Sequence, residues 1–94
     1  MSDLKGQVAV VTGSSRGIGK GIALALAEQG CTVYATGRTI GEGERTINTT
    51  ARQVTEAGGE GHAIQCDHGD DDDIARLFEQ IGKEAGRIDI LVNN

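Results

Sequence analysis

Proline and tryptophan are absent from the 94 residues, and Tyr34 and Phe78 are the only Tyr and Phe. A core built from this chain must therefore be aliphatic. Cysteine is scarce: Cys31 and Cys66 sit at the margins of predicted strands without metal-ligand spacing. That placement predicts small buried thiols in a reducing compartment, ahead of a disulfide. Long apolar runs are missing too. The longest, Ile22 to Ala27, falls far short of the roughly 20 residues that span a membrane. Met1-Ser-Asp-Leu-Lys5 leads directly into a polar turn, so no signal peptide is read there. Without a secretory route the sequon Asn48-Thr-Thr50 carries no weight. Positive charge is in the minority: the formal net charge is −5. With no basic stripe, nucleic acid and anionic membrane are poor partners. The expectation is a soluble cytoplasmic protein.

Glycine is what the chain has in excess, at 15 residues. That is roughly twice the usual share. The glycines cluster at turns and follow no period, which excludes collagen-like and low-complexity readings. Between them, apolar runs alternate with helical patterns. Strands are predicted over Gln7 to Thr12, Thr32 to Thr36, Gly61 to Cys66 and Ile88 to Val92. Helices are predicted over Gly17 to Gln29, Glu44 to Ala57 and Asp71 to Ala85, with a polar loop over Gly37 to Gly43. Ile18, Ile22 and Leu26 form the apolar stripe of the first helix. Ile47, Ala51 and Val54 form that of the second, and Ile74, Leu77, Phe78 and Ile81 that of the third.

Strands separated by helices of this length imply right-handed βαβ crossovers and a parallel sheet. The fold class is α/β, a Rossmann-type doubly wound sheet of order 3-2-1-4, with residues 1–94 as one domain. In that order the fourth strand is an exposed edge of Ile, Leu and Val, which natural domains cover. The expectation is therefore an incomplete fragment of a longer protein.

Val8-Ala-Val-Val-Thr12-Gly13-Ser14-Ser15-Arg16-Gly17-Ile18-Gly19 carries the chemistry. A strand delivers the chain to a glycine turn. The glycines let backbone approach a phosphate, and a new helix aims its free N–H groups and positive dipole end at the charge. A P-loop fails at two places: Ser14 stands where its first Gly belongs, and Gly21 where its hydroxyl belongs. The strict G-x-G-x-x-G also fails, because Ile22 holds its third glycine position. What fits is Thr12-Gly13-x-x-x-Gly17-Ile18-Gly19. This turn resembles that of the short-chain dehydrogenase/reductase family, T-G-x-x-x-G-I-G.

The resemblance extends over the whole chain. Asp67, closing the third strand, resembles the family's acid that accepts from the adenine amino group. Asn93-Asn94 resembles the start of its N-N-A-G motif. Val33 to Thr39 and Cys66 to Asp70 resemble one branch of the family in particular. The resemblance implies hydride transfer between a nicotinamide cofactor and a small carbonyl or alcohol substrate, and a homo-oligomer at full length. It places cofactor contacts at Gly13, Ser15, Arg16, Gly17, Ile18, Gly19, Arg38, Asp67 and Asn93. The family's catalytic Ser, Tyr and Lys have no counterparts here. Tyr34 lies in a strand, and Arg38 stands where the partner Lys belongs. The 94 residues are thus expected to bind the adenine end of the cofactor without catalysing.

NAD enzymes of this fold end the second strand with an acid that binds the ribose hydroxyls. Here that place holds Gly37, followed by Arg38. A guanidinium offers a planar fork of donors to a 2′-phosphate, and Arg16 can reach the same phosphate. The cofactor expected is NADP(H), with NAD less favoured. The run Asp70 to Asp73 lacks the alternating ligands of a calcium loop. It reads as a helix cap with acids at the positive dipole end, so no metal is expected. His62 and His68 have no partner at ligand or catalytic spacing; His68, directly after Asp67, is expected to line the adenine pocket through its backbone alone. Ser14 and Ser15 read as turn hydroxyls that can donate to phosphate. Two other readings stand beside this one. One is a truncated, non-catalytic nucleotide-binding or interaction module. The other is a nucleoside-based methyltransferase, disfavoured by the turn spacing and by Arg38.

Overall fold

Alternating buried positions set the architecture. Val8 and Val10 point to one face of the first strand, and Ala9 and Val11 to the other, all buried. A strand buried on both faces belongs inside a sheet covered by helices on each side. The computed structural model describes residues 4–15, 17–38, 43 and 46–94. In chain order it has β1 (Val8–Thr12), α1 (Gly17–Glu28), β2 (Thr32–Gly37), α2 (Ile47–Glu56), β3 (Glu60–Gln65), α3 (Asp71–Ala85) and β4 (Ile90–Val92). The sheet order is β3-β2-β1-β4, and every pairing is parallel. This is the doubly wound topology that the strand–helix alternation predicts.

The helices stop and start at chemical signals. Thr46 caps α2 by accepting from the Thr49 N–H at 3.3 Å. The helix therefore begins at Ile47, later than the periodicity suggests; Glu44 and Arg45 lie outside the described residues. Asp70 caps α3 by accepting from the N–H groups of Asp72 at 2.9 Å and Asp73 at 3.3 Å. Asp71, Asp72 and Asp73 fill its first turn, where the helix dipole favours negative charge. Gly30 (φ 85°) follows the end of α1 and Gly86 (φ 76°) that of α3, both in the left-handed region. β4 begins at Ile90, not Ile88. The Asp89 carboxylate accepts the Val8 N–H at 2.8 Å, and the Asp89 N–H donates to the Val8 carbonyl at 2.8 Å. A side chain thus supplies the first rung of that ladder.

One expectation about α1 is overturned. Its buried residues are Gly19, Ala23 and Ala27, not the stripe of Ile18, Ile22 and Leu26. Ile18 is 77% exposed, while Ile22 and Leu26 are only partly buried against the core. Close approach decides this. A Cβ on Gly19 would lie 2.5 Å from the Gly13 carbonyl oxygen, and one on Gly59 would lie 3.2 Å from the Ala27 Cβ. Only small side chains fit on the face that meets the sheet.

The core has two halves. Ala9, Val11, Ala23, Ala27, Cys31, Val33 and Val54 pack on the side of α1 and α2. Val8, Val10, Tyr34, Cys66, Leu77 and Ile81 pack under α3. Both cysteines are buried and free, and burial pushes both thiols up. At the far edge, Leu91 of β4 is 55% exposed.

Tyr34 crosses the second half. Its hydroxyl donates to Glu84 Oε1 at 3.0 Å, and its ring stacks on His62 at 4.7 Å between centroids. Burial, then the bond to Glu84, pushes its pKa up to about 12 from 10.0. The folded state therefore favours the neutral phenol. This contribution to stability is complete below about pH 10 and is lost as pH rises toward 12. Tyr34 is the only tyrosine, so phenolate absorbance reads it directly. It should titrate near pH 12, and lower in Glu84→Gln; a midpoint at the ordinary tyrosine value in both proteins contradicts the arrangement. A second expectation concerns Gly61. A Cβ there would overlap the Ala51 carbonyl oxygen of α2. Gly61→Ala should cost about 1–3 kcal/mol in urea unfolding.

Candidate functional site

β1 and β2 lead into helices on one side of the sheet, and β3 leads into α3 on the other. The carboxyl ends of the strands around β1 therefore form the switch point where open α/β sheets bind ligands. A cavity of about 310 Å³ opens there. Thr12 and Gly13 line it from the end of β1, and Gly37 and Arg38 from the end of β2. Asp67, His68 and Gly69 follow β3, and Asn93 and Asn94 follow β4. The larger cavity, about 490 Å³, lies toward the amino ends of the strands beside Val8, Thr32 and Glu60. Among the described residues, its lining includes no glycine and no first turn of a helix.

The glycine turn is built to be tight and to stay fixed. Gly13 (φ 60°) and Gly17 (φ 64°) take left-handed backbone that other residues adopt at a cost. Between them Ser14 is locked. Its N–H donates to the Thr36 carbonyl at 3.2 Å, and its hydroxyl donates to the Val11 carbonyl at 2.8 Å. The Thr50 hydroxyl of α2 donates to the Ser14 carbonyl at 2.8 Å. The fully buried Ser14 hydroxyl therefore serves the fold. The expectation that it could face a phosphate is corrected; Ser15 is only partly buried. α1 begins at Gly17, so its first N–H groups lack helical partners beside the turn.

β4 is tied to the same turn. The Asn94 N–H donates to Thr12 Oγ1 at 2.9 Å, and Asn94 Nδ2 donates to the Gly13 carbonyl at 3.2 Å. The Thr12 hydroxyl has one proton for two acceptors, the Val92 carbonyl at 3.3 Å and Asn93 Oδ1 at 3.4 Å. The first turn of α1 reaches this knot. A Cβ on Gly19 would lie 2.7 Å from Asn94 Nδ2.

Asp67 Oδ1 accepts from the Gly69 N–H at 2.9 Å, which closes a turn after β3. The Asp67 N–H donates to Asp73 Oδ2 at 3.1 Å. That bond, then Arg76, holds the Asp73 carboxyl below the usual range. Asp73 and Arg76 also form an ion pair. Part of the acidic run is thus committed to capping α3 and to holding Asp67. Arg38 is exposed at the cavity, and its carbonyl accepts from Gln65 Nε2 at 3.1 Å.

Of the residues singled out from sequence, Gly13, Arg38, Asp67 and Asn93 line the cavity together. Gly17, Ile18 and Gly19 form the adjoining first turn of α1, and Ser15 precedes it. Arg16 lies outside the described residues. Thr12, Gly37 and Asn94 line the cavity without having been named as contacts, and His68 lines it as its place after Asp67 suggests. The adjacency of Thr12 to Gly13, and of Asn94 to Asn93, was the available signal.

Comparison with known proteins agrees with this geometry. A profile described as short chain dehydrogenase matches residues 7–94. Over 95 residues the chain is 46% identical to mouse (Mus musculus) dehydrogenase/reductase SDR family member 1, covering 100% of this chain and 29% of that protein. The narrower resemblance carried by Val33 to Thr39 and Cys66 to Asp70 is to this member 1 branch, and the identity supports it. A metagenomic short-chain oxidoreductase in complex with NADP superposes with a TM-score of 0.88 at 43% identity, over 99% of this chain and 40% of its own. The NADH-dependent reductase A1-R′ complexed with NAD superposes with a TM-score of 0.87 at 30% identity, over 98% and 37%. The chain thus spans 29% of the length of the curated mouse relative. With its glycine turn, parallel sheet and Asn pair, the chain belongs to the short-chain dehydrogenase family.

Proposed function

We propose that residues 1–94 form the cofactor-binding domain of an oxidoreductase that moves hydride between NADP(H) and a small carbonyl or alcohol. The observation that carries the preference for NADP is Arg38. It lies exposed in the cavity directly after Gly37, where an NAD enzyme would place a carboxylate. A guanidinium there can take a 2′-phosphate in a forked, charge-assisted contact, and Arg16 in the turn adds a second positive charge. The two solved neighbours hold NADP in one case and NAD in the other, so this chain's own residues must decide between them.

The residues fit such a cofactor. Gly13, Ser15, Gly17, Ile18 and Gly19 would hold the pyrophosphate, because a Cβ at Gly19 would close the cradle and the start of α1 offers backbone donors. Asp67 would accept from the adenine amino group, and Asn93 would meet the nearer ribose. When bound, the nicotinamide supplies the hydride. In this reading the 94 residues bind and orient the cofactor and leave protonation of the carbonyl to other residues. Tyr34, the only tyrosine, is buried with its hydroxyl committed to Glu84. The groups that act on the carbonyl would lie in the remainder of a longer protein, a cytoplasmic homo-oligomer in this reading. The alternative, a nucleotide-binding module without catalysis, keeps the same cofactor contacts and differs in showing no turnover.

Two measurements test the assignment. Arg38→Asp should weaken NADPH binding by about tenfold to a hundredfold and leave NADH binding nearly unchanged. Equal loss of both cofactors would remove the preference for NADP. Gly19→Ala should abolish binding of either dinucleotide in a calorimetric titration, since the added methyl meets the Gly13 carbonyl in the cradle. Retained affinity would place the pyrophosphate elsewhere.

A further inference from the structure

Gly37 ends β2 at the rim of the cavity. Its φ does not lie in the left-handed region, so the backbone there accepts any residue. What position 37 lacks is room. Side chains alternate along a strand, so position 37 shares the face of Val33 and Ala35, toward α1 and α2. A Cβ on Gly37 would lie 3.2 Å from Ile47 Cγ2, inside the roughly 3.5–4.0 Å at which two carbons meet without repulsion. Gly37 is buried, and Ile47 is fully buried.

Neither side of this contact can retreat. Ile47 is the first residue of α2, and that end of the helix is fastened at two places. The Thr46 and Thr49 hydroxyls both reach the Gly43 carbonyl, at 2.9 and 2.8 Å. The Thr50 hydroxyl donates to the Ser14 carbonyl of the glycine turn. The end of β2 is held as firmly. The Thr36 carbonyl accepts from the Ser14 N–H, and the Gly37 carbonyl accepts from the Cys66 N–H at 2.8 Å. The Thr36 hydroxyl lies 2.9 Å from His68 Nε2. Moving Ile47 and Gly37 apart would break a tie to the glycine turn or to β3. A carboxylate at position 37 would begin with a Cβ in this gap and set a charge against a buried isoleucine, which costs further. Packing therefore rejects the acid before the cofactor is met.

We propose that Ile47 is a specificity-determining residue for the cofactor: its γ-methyl keeps position 37 free of the carboxylate that would hold a ribose diol and repel a 2′-phosphate. The inference rests on the NADP(H) reading, and its test separates the two. The whole protein would be titrated calorimetrically with NADPH and NADH. Gly37→Asp should weaken NADPH by about tenfold or more, gain no NADH affinity and lower the urea midpoint. Gly37→Asp with Ile47→Ala, which removes Cγ2, should bind NADH about tenfold tighter than Gly37→Asp does. Gly37→Asp with Ile47→Val, which keeps Cγ2 and loses only the terminal methyl, should not. A merely structural role for Ile47 would weaken binding in both pairs. Gly37→Ala adds the Cβ alone and reads the clash even where Gly37→Asp does not fold; it should lower the urea midpoint. The role of Ile47 is overturned if Gly37→Asp alone gains NADH affinity at the parent's stability, if the Ala pair binds NADH no better than the Val pair, or if Gly37→Ala is as stable as the parent. A parent protein that binds NADH as tightly as NADPH overturns the NADP(H) reading, and this role with it.

Discussion

The close approach of two backbones at Gly19 and Gly13 governs this structure. The first turn of α1 comes near enough to the Gly13 carbonyl that a Cβ at Gly19 would sit 2.5 Å from its oxygen. Once the helix starts that close, the rest of its inner face must also be small, and Ala23 and Ala27 are. α2 and its exit then close in behind, with Gly59 against Ala27. A chain with almost no aromatic residues can fill so thin a layer. The same contact shapes the phosphate cradle, so packing and binding impose one requirement on one pair of residues.

Glycine alone would leave the turn loose, because it carries the most backbone freedom to lose. Short hydroxyl and amide side chains remove that freedom. Ser14 is held by β1, β2 and α2 at once through Val11, Thr36 and Thr50. Thr12 and Asn94 bind the far side of the turn to β4. Apart from the exposed bond of Asn94 Nδ2 to the Gly13 carbonyl, these bonds are partly or fully shielded from water, where a lost partner costs more than the bond nominally contributes. A cradle arranged in advance by such ties orders little on binding, which favours affinity.

The strand–helix alternation, the sheet order and the glycine turn were legible in the sequence because each has a local signature. The cap at Asp70 was legible for the same reason. The inner face of α1 was not. Periodicity weights large apolar residues, whereas this interface selects for absence of volume, so the pattern points to Ile18 and passes over Gly19. The start of β4 was not legible, because Asp89 performs a backbone's task with its carboxylate. Among the cavity residues, Gly13, Arg38, Asp67 and Asn93 could be named from motif position. The Thr36–His68 contact joins residues 32 positions apart, and no spacing rule reaches that far.

The Asp89 carboxylate has a consequence for how the sheet assembles. β4 has only three residues and pairs with β1 across some 80 positions of chain. So short a ladder could slip by one residue with little loss of backbone bonding, and every side chain would then exchange faces. Asp89 prevents that slip. Its carboxylate takes the Val8 N–H and pairs with Arg87, whose guanidinium also donates to the Gly6 carbonyl. A shift in register would leave a negative charge facing apolar strand. The corner acts as a key, so the most distant pairing in the sheet has a single alignment however late in folding it forms.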